Sequence, residues 1–92
     1  MAVHQISIEE RAGRDSNLSI WNVRQENASG VALLISERRD EDQAHELARR
    51  FCKNLHISQY RVSQFTERPG VFKVSSIDAA TGATIAGSVE QY

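Results

Sequence analysis

The chain has 92 residues, of which 40% are hydrophobic and 25% charged, and ten of its apolar positions are alanine. A domain of this size buries only about 60–65% of its unfolded surface, which predicts one domain with a thin core and no interior able to enclose a substrate. Eleven Lys and Arg against twelve Asp and Glu leave a net charge of −1, so bulk charge selects neither a nucleic acid nor a membrane.

Residues 3–10 alternate, placing His4, Ile6 and Ile8 on one face, the period of a half-buried strand. Arg11 to Asn17 carries turn chemistry: Gly13 tolerates positive φ, and Asp15 and Asn17 can close their own turns. Leu18 to Gln25 reads as the returning strand, with Leu18 and Ile20 on one face and Ser19, Trp21 and Val23 on the other. Glu26 to Gly30 is a second turn. Val31 to Ile35 follows as a short, continuous apolar strand, whose composition predicts the centre of the sheet.

Asp40 is suited to be an N-cap, and Gln43 three residues later completes a capping-box pattern. Ala44, Leu47, Ala48, Phe51 and Leu55 recur at helical spacing as an apolar arc, opposite Asp42, Gln43, Glu46, Arg49, Arg50, Lys53 and Asn54. The spacing predicts a helix over 41–55. Three strand-like runs follow: 58–66, with Tyr60 and Val62 opposite Arg61 and Phe65; 71–77, with Phe72 and Val74 on one face; and 84–90, with Ile85 and Val89 on one face. The turn at 67–70 contains Pro69-Gly70, a type II pattern, and the turn at 78–83 contains Thr81-Gly82. The order is β-β-β-α-β-β-β. Strands segregated about one helix predict an α+β fold, a small and mainly antiparallel sheet with one amphipathic helix packed on it.

The chain is poor in groups that carry chemistry. Cys52 has no second cysteine to pair with, and its mid-helix position lacks the field of a helix N-terminus that lowers a thiol pKa. Cys52 and His56, at i and i+4, can reach one ion, but His45 lies ~10 Å further up the axis, so the three read as the seam between helix and sheet. No serine sits in an elbow motif, and 82–88 has the glycine spacing of a phosphate loop without its lysine. The expectation is a protein that is not an enzyme and holds no metal or cofactor. The N-terminal MAVHQISIEE lacks the basic and apolar regions of a signal peptide. The longest apolar run, Val31 to Ile35, is far below the ~20 residues of a membrane span, so the expected location is cytoplasmic and off the membrane.

The basic residues are nine Arg and two Lys. The planar arginine fork suits phosphate and carboxylate, although GC-rich coding produces the same bias. The acidic first half and basic second half of the helix complement its macrodipole, and Glu46 and Arg50 form an i,i+4 pair. That same basic end offers Arg49, Arg50 and Lys53 to phosphates or to an acidic protein surface. Arg11, Arg14 and Arg24 form a second basic group on the N-terminal hairpin, whose tip is exposed in any arrangement. Trp21, Tyr60, Phe65 and Phe72 come from strands. They are either core residues or, if they share an exposed face with Arg24 and Arg61, a stacking platform for single-stranded nucleic acid.

The hairpin segment ISIEERAGRDSNLSIWNVRQ and the lone helix DEDQAHELARRFCKNL, in a chain without a catalytic constellation, resemble in layout the small phage-encoded anti-CRISPR proteins, in particular inhibitors of type I-F surveillance complexes. The Trp21-Asn22-Val23 strand followed by a helix is also similar to small bacterial strand–strand–helix domains. The first resemblance implies a non-enzymatic inhibitor, active in the host cytoplasm, that docks on Cas subunits and guide RNA and blocks target-DNA hybridisation. No family residue transfers, so the partner-binding candidates rest on chemistry alone: Arg11, Arg14, Arg24, Arg49, Arg50 and Lys53. The expected partner is a larger host protein or protein–RNA complex, with phosphate-backbone contacts from arginine. Two alternatives remain, a free-standing single-strand nucleic-acid binder and a small domain that dimerises through an edge strand such as 84–90.

Overall fold

The computed structural model describes residues 3–12 and 19–91. Six strands and one helix follow in the order β1 (Val3–Ala12), β2 (Ser19–Asn27), β3 (Ala32–Arg38), α1 (Glu41–Leu55), β4 (Gln59–Phe65), β5 (Val71–Asp78) and β6 (Thr84–Gln91). The strands form a single sheet in the order β3-β2-β1-β4-β5-β6. All neighbours are antiparallel except β1 and β4, which run parallel through Ser7, Ile8 and Glu9 against Arg61, Val62 and Ser63. The fold is α+β, with a mixed but mostly antiparallel sheet.

This order follows from the crossover. β1, β2 and β3 form a meander, so β3 runs parallel to β1; α1 then carries the chain back over the sheet, and β4 joins the free edge of β1. The apolar run beginning at Val31 therefore lies at an edge and not at the centre, with Val31, Leu33 and Leu34 each more than half exposed. A continuous apolar run marks a strand covered on both faces, and among the described residues one helix covers this sheet, on one face. Its central strand needs only alternation, which β1 supplies: Ile6 and Ile8 are both 0% exposed. Arg11 and Ala12 extend β1, pairing with Ile20 and Ser19, and so lie in the strand and not in the turn.

The helix ends form as the local residues dictate. Asp40 is the N-cap, and its Oδ1 accepts from the Asp42 backbone N–H at 2.8 Å. At the other end His56 takes the left-handed conformation at φ 56°. The Ile57 N–H then reaches Cys52 O at 2.8 Å and the His56 N–H reaches Lys53 O, the reversal of a Schellman motif. Ala44, Ala48 and Cys52 are buried, and their small size lets the helix sit close to the larger Ile6, Ile8, Trp21, Val23, Tyr60 and Val62 beneath. Cys52 is thus in the core and not on its border. Leu47 and Phe51 flank the contact, while Leu55, at the end of the apolar arc, is exposed.

The helix packs on β1, β2, β3 and β4 and leaves β5 and β6 without a cover. The other face of the sheet carries Ser7, Glu9, Arg24, Arg61 and Ser63, which alternate with the buried residues of the same strands. One face of the domain is therefore core, and the other is an open sheet surface, polar over β1 and β2 and with Phe65, Phe72 and Val74 toward β4 and β5.

Candidate functional site

The sequence places six basic residues as partner contacts, and the fold separates them. Arg11 and Arg24 lie on the open sheet face and converge on one carboxylate: Arg11 Nε is 2.8 Å from Glu9 Oε1, and Arg24 Nη1 is 3.2 Å from Glu9 Oε2. Arg14 lies outside the described residues. Arg49, Arg50 and Lys53 belong to α1, on the opposite side of the sheet. Among the described residues, the hairpin and helix arginines and lysine do not make one surface.

The helix group lines a groove of about 710 Å³. One wall is the helix flank of Glu46, Arg49, Arg50 and Lys53; the floor and far wall are Ile57, Ser58, Asp78, Ala79 and Ala80. The groove exists because α1 stops short of β5 and β6, while the chain reversal at His56 returns Ile57 to the core edge. The Ala79 N–H donates to Ser58 O at 2.9 Å and ties the β5–β6 turn to the segment after the helix. Gly82, at φ +75°, faces the other end of the wall: a Cβ there would lie 3.7 Å from Arg49 Nη1.

The electrostatics of the groove favour an anion. Of its two carboxylates, Glu46 pairs with Arg50 across 3.6 Å. Asp78 is held by its own turn, where its Oδ1 accepts from the backbone N–H groups of Ala80 at 2.8 Å and Thr81 at 3.0 Å. Those bonds, led by the one from Thr81, keep the Asp78 carboxyl below its ordinary range and therefore ionised. Among the described residues neither Arg49 nor Lys53 has a carboxylate within ion-pair distance.

The residues with nucleophilic or acid–base character lie elsewhere. Cys52 is 0% exposed, and burial pushes its thiol up to about 11, so it stays protonated and unreactive at neutral pH. The Tyr60 hydroxyl and His45 Nδ1 are 2.7 Å apart, and His45 Nε2 is 3.5 Å from Glu41 Oε1. With its proton on Nε2, toward Glu41, the His45 ring accepts from the tyrosine. This chain has the members of a proton relay, but Tyr60 is buried beneath the helix, where burial raises its pKa against the pull of Arg49. It satisfies a core hydroxyl. The pairing was not visible in the sequence, where His45 and Tyr60 belong to different elements. Among the described residues no three His, Cys, Asp or Glu side chains gather as a metal site, and no helix is long and apolar enough to cross a membrane.

The aromatic residues also divide. Trp21 and Tyr60 are in the core, while Phe65 and Phe72 pair at 5.3 Å between ring centroids on the open face. Arg24 and Arg61 share that open face, each bound to a carboxylate, with Arg61 Nη2 3.0 Å from both oxygens of Glu90. A stacking platform would therefore have two aromatics and not four.

No family model, curated protein or solved structure matches this chain. Its function has to be read from the groove and the surfaces around it.

Proposed function

We propose that this chain is a non-enzymatic binding module that docks on a larger host protein–RNA complex and inhibits it, in the manner of the type I-F anti-CRISPR proteins that its hairpin and helix resemble. One observation carries the reading. Arg49 and Lys53, one helical turn apart, rim an open groove without an ion-pair partner among the described residues. Cations held on a rigid helix beside an apolar floor are suited to recognition, because the partner's anions complete pairs that the fold leaves open. The mode of action is steric and electrostatic: the module occupies the surface over which target DNA would hybridise.

The test uses purified type I-F surveillance complex loaded with guide RNA, and a labelled target duplex. The chain is expected to co-elute with the complex and to suppress duplex binding. An Arg49→Glu, Lys53→Glu variant should weaken that suppression by about tenfold or more, with an unchanged circular dichroism spectrum. No co-elution and no suppression by the unsubstituted chain would end this reading.

A second reading is supported by the sheet edges. β6 is an edge strand with no cover from the helix, and its Val89 is 70% exposed. β3, at the other edge, exposes Leu33 and Leu34, with exposed Val31 just before it. Uncovered edge strands invite strand pairing between copies, and a lysine placed on them blocks it. In sedimentation over a concentration series, a domain that pairs through β6 dimerises and becomes monomeric with Val89→Lys, whereas pairing through β3 responds to Leu33→Lys. A monomer at every concentration removes this reading.

A further inference from the structure

We infer that the groove between α1 and the β5–β6 turn takes an acidic protein segment anchored by an aliphatic side chain, and not a nucleotide. The inference rests on the reading of this chain as a binding module and names the chemistry of its partner. The floor carries Ile57, Ala79 and Ala80, which can cover one aliphatic side chain but offer no ring to stack on a base. Base recognition without sequence preference depends on aromatic platforms. Of the aromatic side chains among the described residues, Trp21 and Tyr60 are under the helix, Phe51 flanks its contact with the sheet, and Phe65 and Phe72 are on the far face; none of them lines the groove.

The rim supplies the charge complement. Arg49 and Lys53 stand at i and i+4 on the wall, and among the described residues neither has a carboxylate within ion-pair distance. The arginine end reaches the Gly82 side of the turn. A segment with carboxylates on either side of one leucine-sized residue matches that sequence of charge and apolar surface. The site is also preformed: the turn is held by Asp78 and by the Ala79–Ser58 bond, and the helix end by its Schellman reversal. Binding to it needs no rearrangement of this chain.

The experiment is an NMR titration of the ¹⁵N-labelled full chain with a terminally blocked peptide of alternating Glu and Asp carrying one central Leu. At ~1 mM peptide, the amides of Ile57, Ser58, Ala79 and Ala80 are expected to shift together. Replacing the peptide's Leu by Ser should weaken binding about tenfold, and Arg49→Glu or the groove-filling Ala80→Trp should weaken it at least as much. Ala80 is exposed, and the spectrum of the free variant reports directly that it is folded. Groove amides that stay still, or that respond equally to the Leu and Ser peptides, overturn the inference. So does a single-stranded oligouridylate of about ten nucleotides that displaces the peptide. A chain that takes the peptide but ignores the surveillance complex keeps this inference and loses the docking reading. A chain that inhibits the complex while its groove ignores the peptide does the reverse.

Discussion

Ile8→Ala is expected to destabilise the domain by about 2–5 kcal/mol, a large share of the roughly 5–14 kcal/mol available to a chain of this length. Ile8 is 0% exposed, lies on the central strand and is paired on both sides, with Val23 of β2 and Val62 of β4. Truncating it removes side-chain atoms from the one layer where the helix meets the sheet, and the neighbours are held by ladders that leave little room to collapse. Leu34→Ala is the matched control. Leu34 belongs to the most apolar run of the chain but is 53% exposed at the edge, so its loss should shift stability by less than ~1 kcal/mol. Urea denaturation of the two variants separates the arrangements cleanly. Equal losses would mean that β3 is buried and that the strand order is wrong.

That comparison also locates what the sequence could and could not disclose. The helix was legible to the residue, 41–55, because its signals are local: Asp40 at the cap, apolar positions at helical spacing and no proline. The turn at Pro69-Gly70 was legible for the same reason, with Gly70 at φ 76°. The position of β3 was not, because strand order is decided by which free edge the returning chain joins, and nothing in Val31 to Ile35 encodes that β4 would join β1. The inference from a continuous apolar run assumed a sheet covered on both faces, and a single helix covers one.

The candidate site divides in the same way. Arg49, Arg50 and Lys53 could be named from charge and helical phase alone. Their groove could not, because its floor and far wall come from Ile57 and Ser58 and from 78–80, segments joined only through β4 and β5. The arginines of the hairpin were legible as charges but not as partners of Glu9, since Arg24 and Glu9 meet only through the β1–β2 pairing. The Asn22 Oδ1, buried on that sheet without a hydrogen-bond partner among the described residues, had no signal in the sequence at all.

Stability should also fall on the alkaline side, and the sign follows from the core. The Cys52 thiol is raised by burial from 9.0 to about 11, so its proton is held more tightly folded than unfolded. Below pH 9 both states keep the proton, and the group adds no pH dependence. Between 9 and 11 the unfolded chain loses it while the folded chain does not, which favours unfolding by up to ~1.4 kcal/mol per pH unit. The accumulated loss is on the order of 2 kcal/mol by pH 11. Tyr60, raised above 10.0 chiefly by burial, acts in the same direction at the upper end of that window. Urea midpoints measured at pH 7, 9 and 10.5 should therefore be flat over the first interval and fall over the second. Cys52→Ala lowers stability at every pH through the lost packing, yet it should flatten the alkaline slope, which a purely steric role for the sulfur would leave unchanged. The same burial predicts that the native thiol resists a disulfide reagent at pH 8 and reacts once urea has unfolded the chain. Rapid labelling of the folded protein would place Cys52 at the surface and remove the basis for the slope.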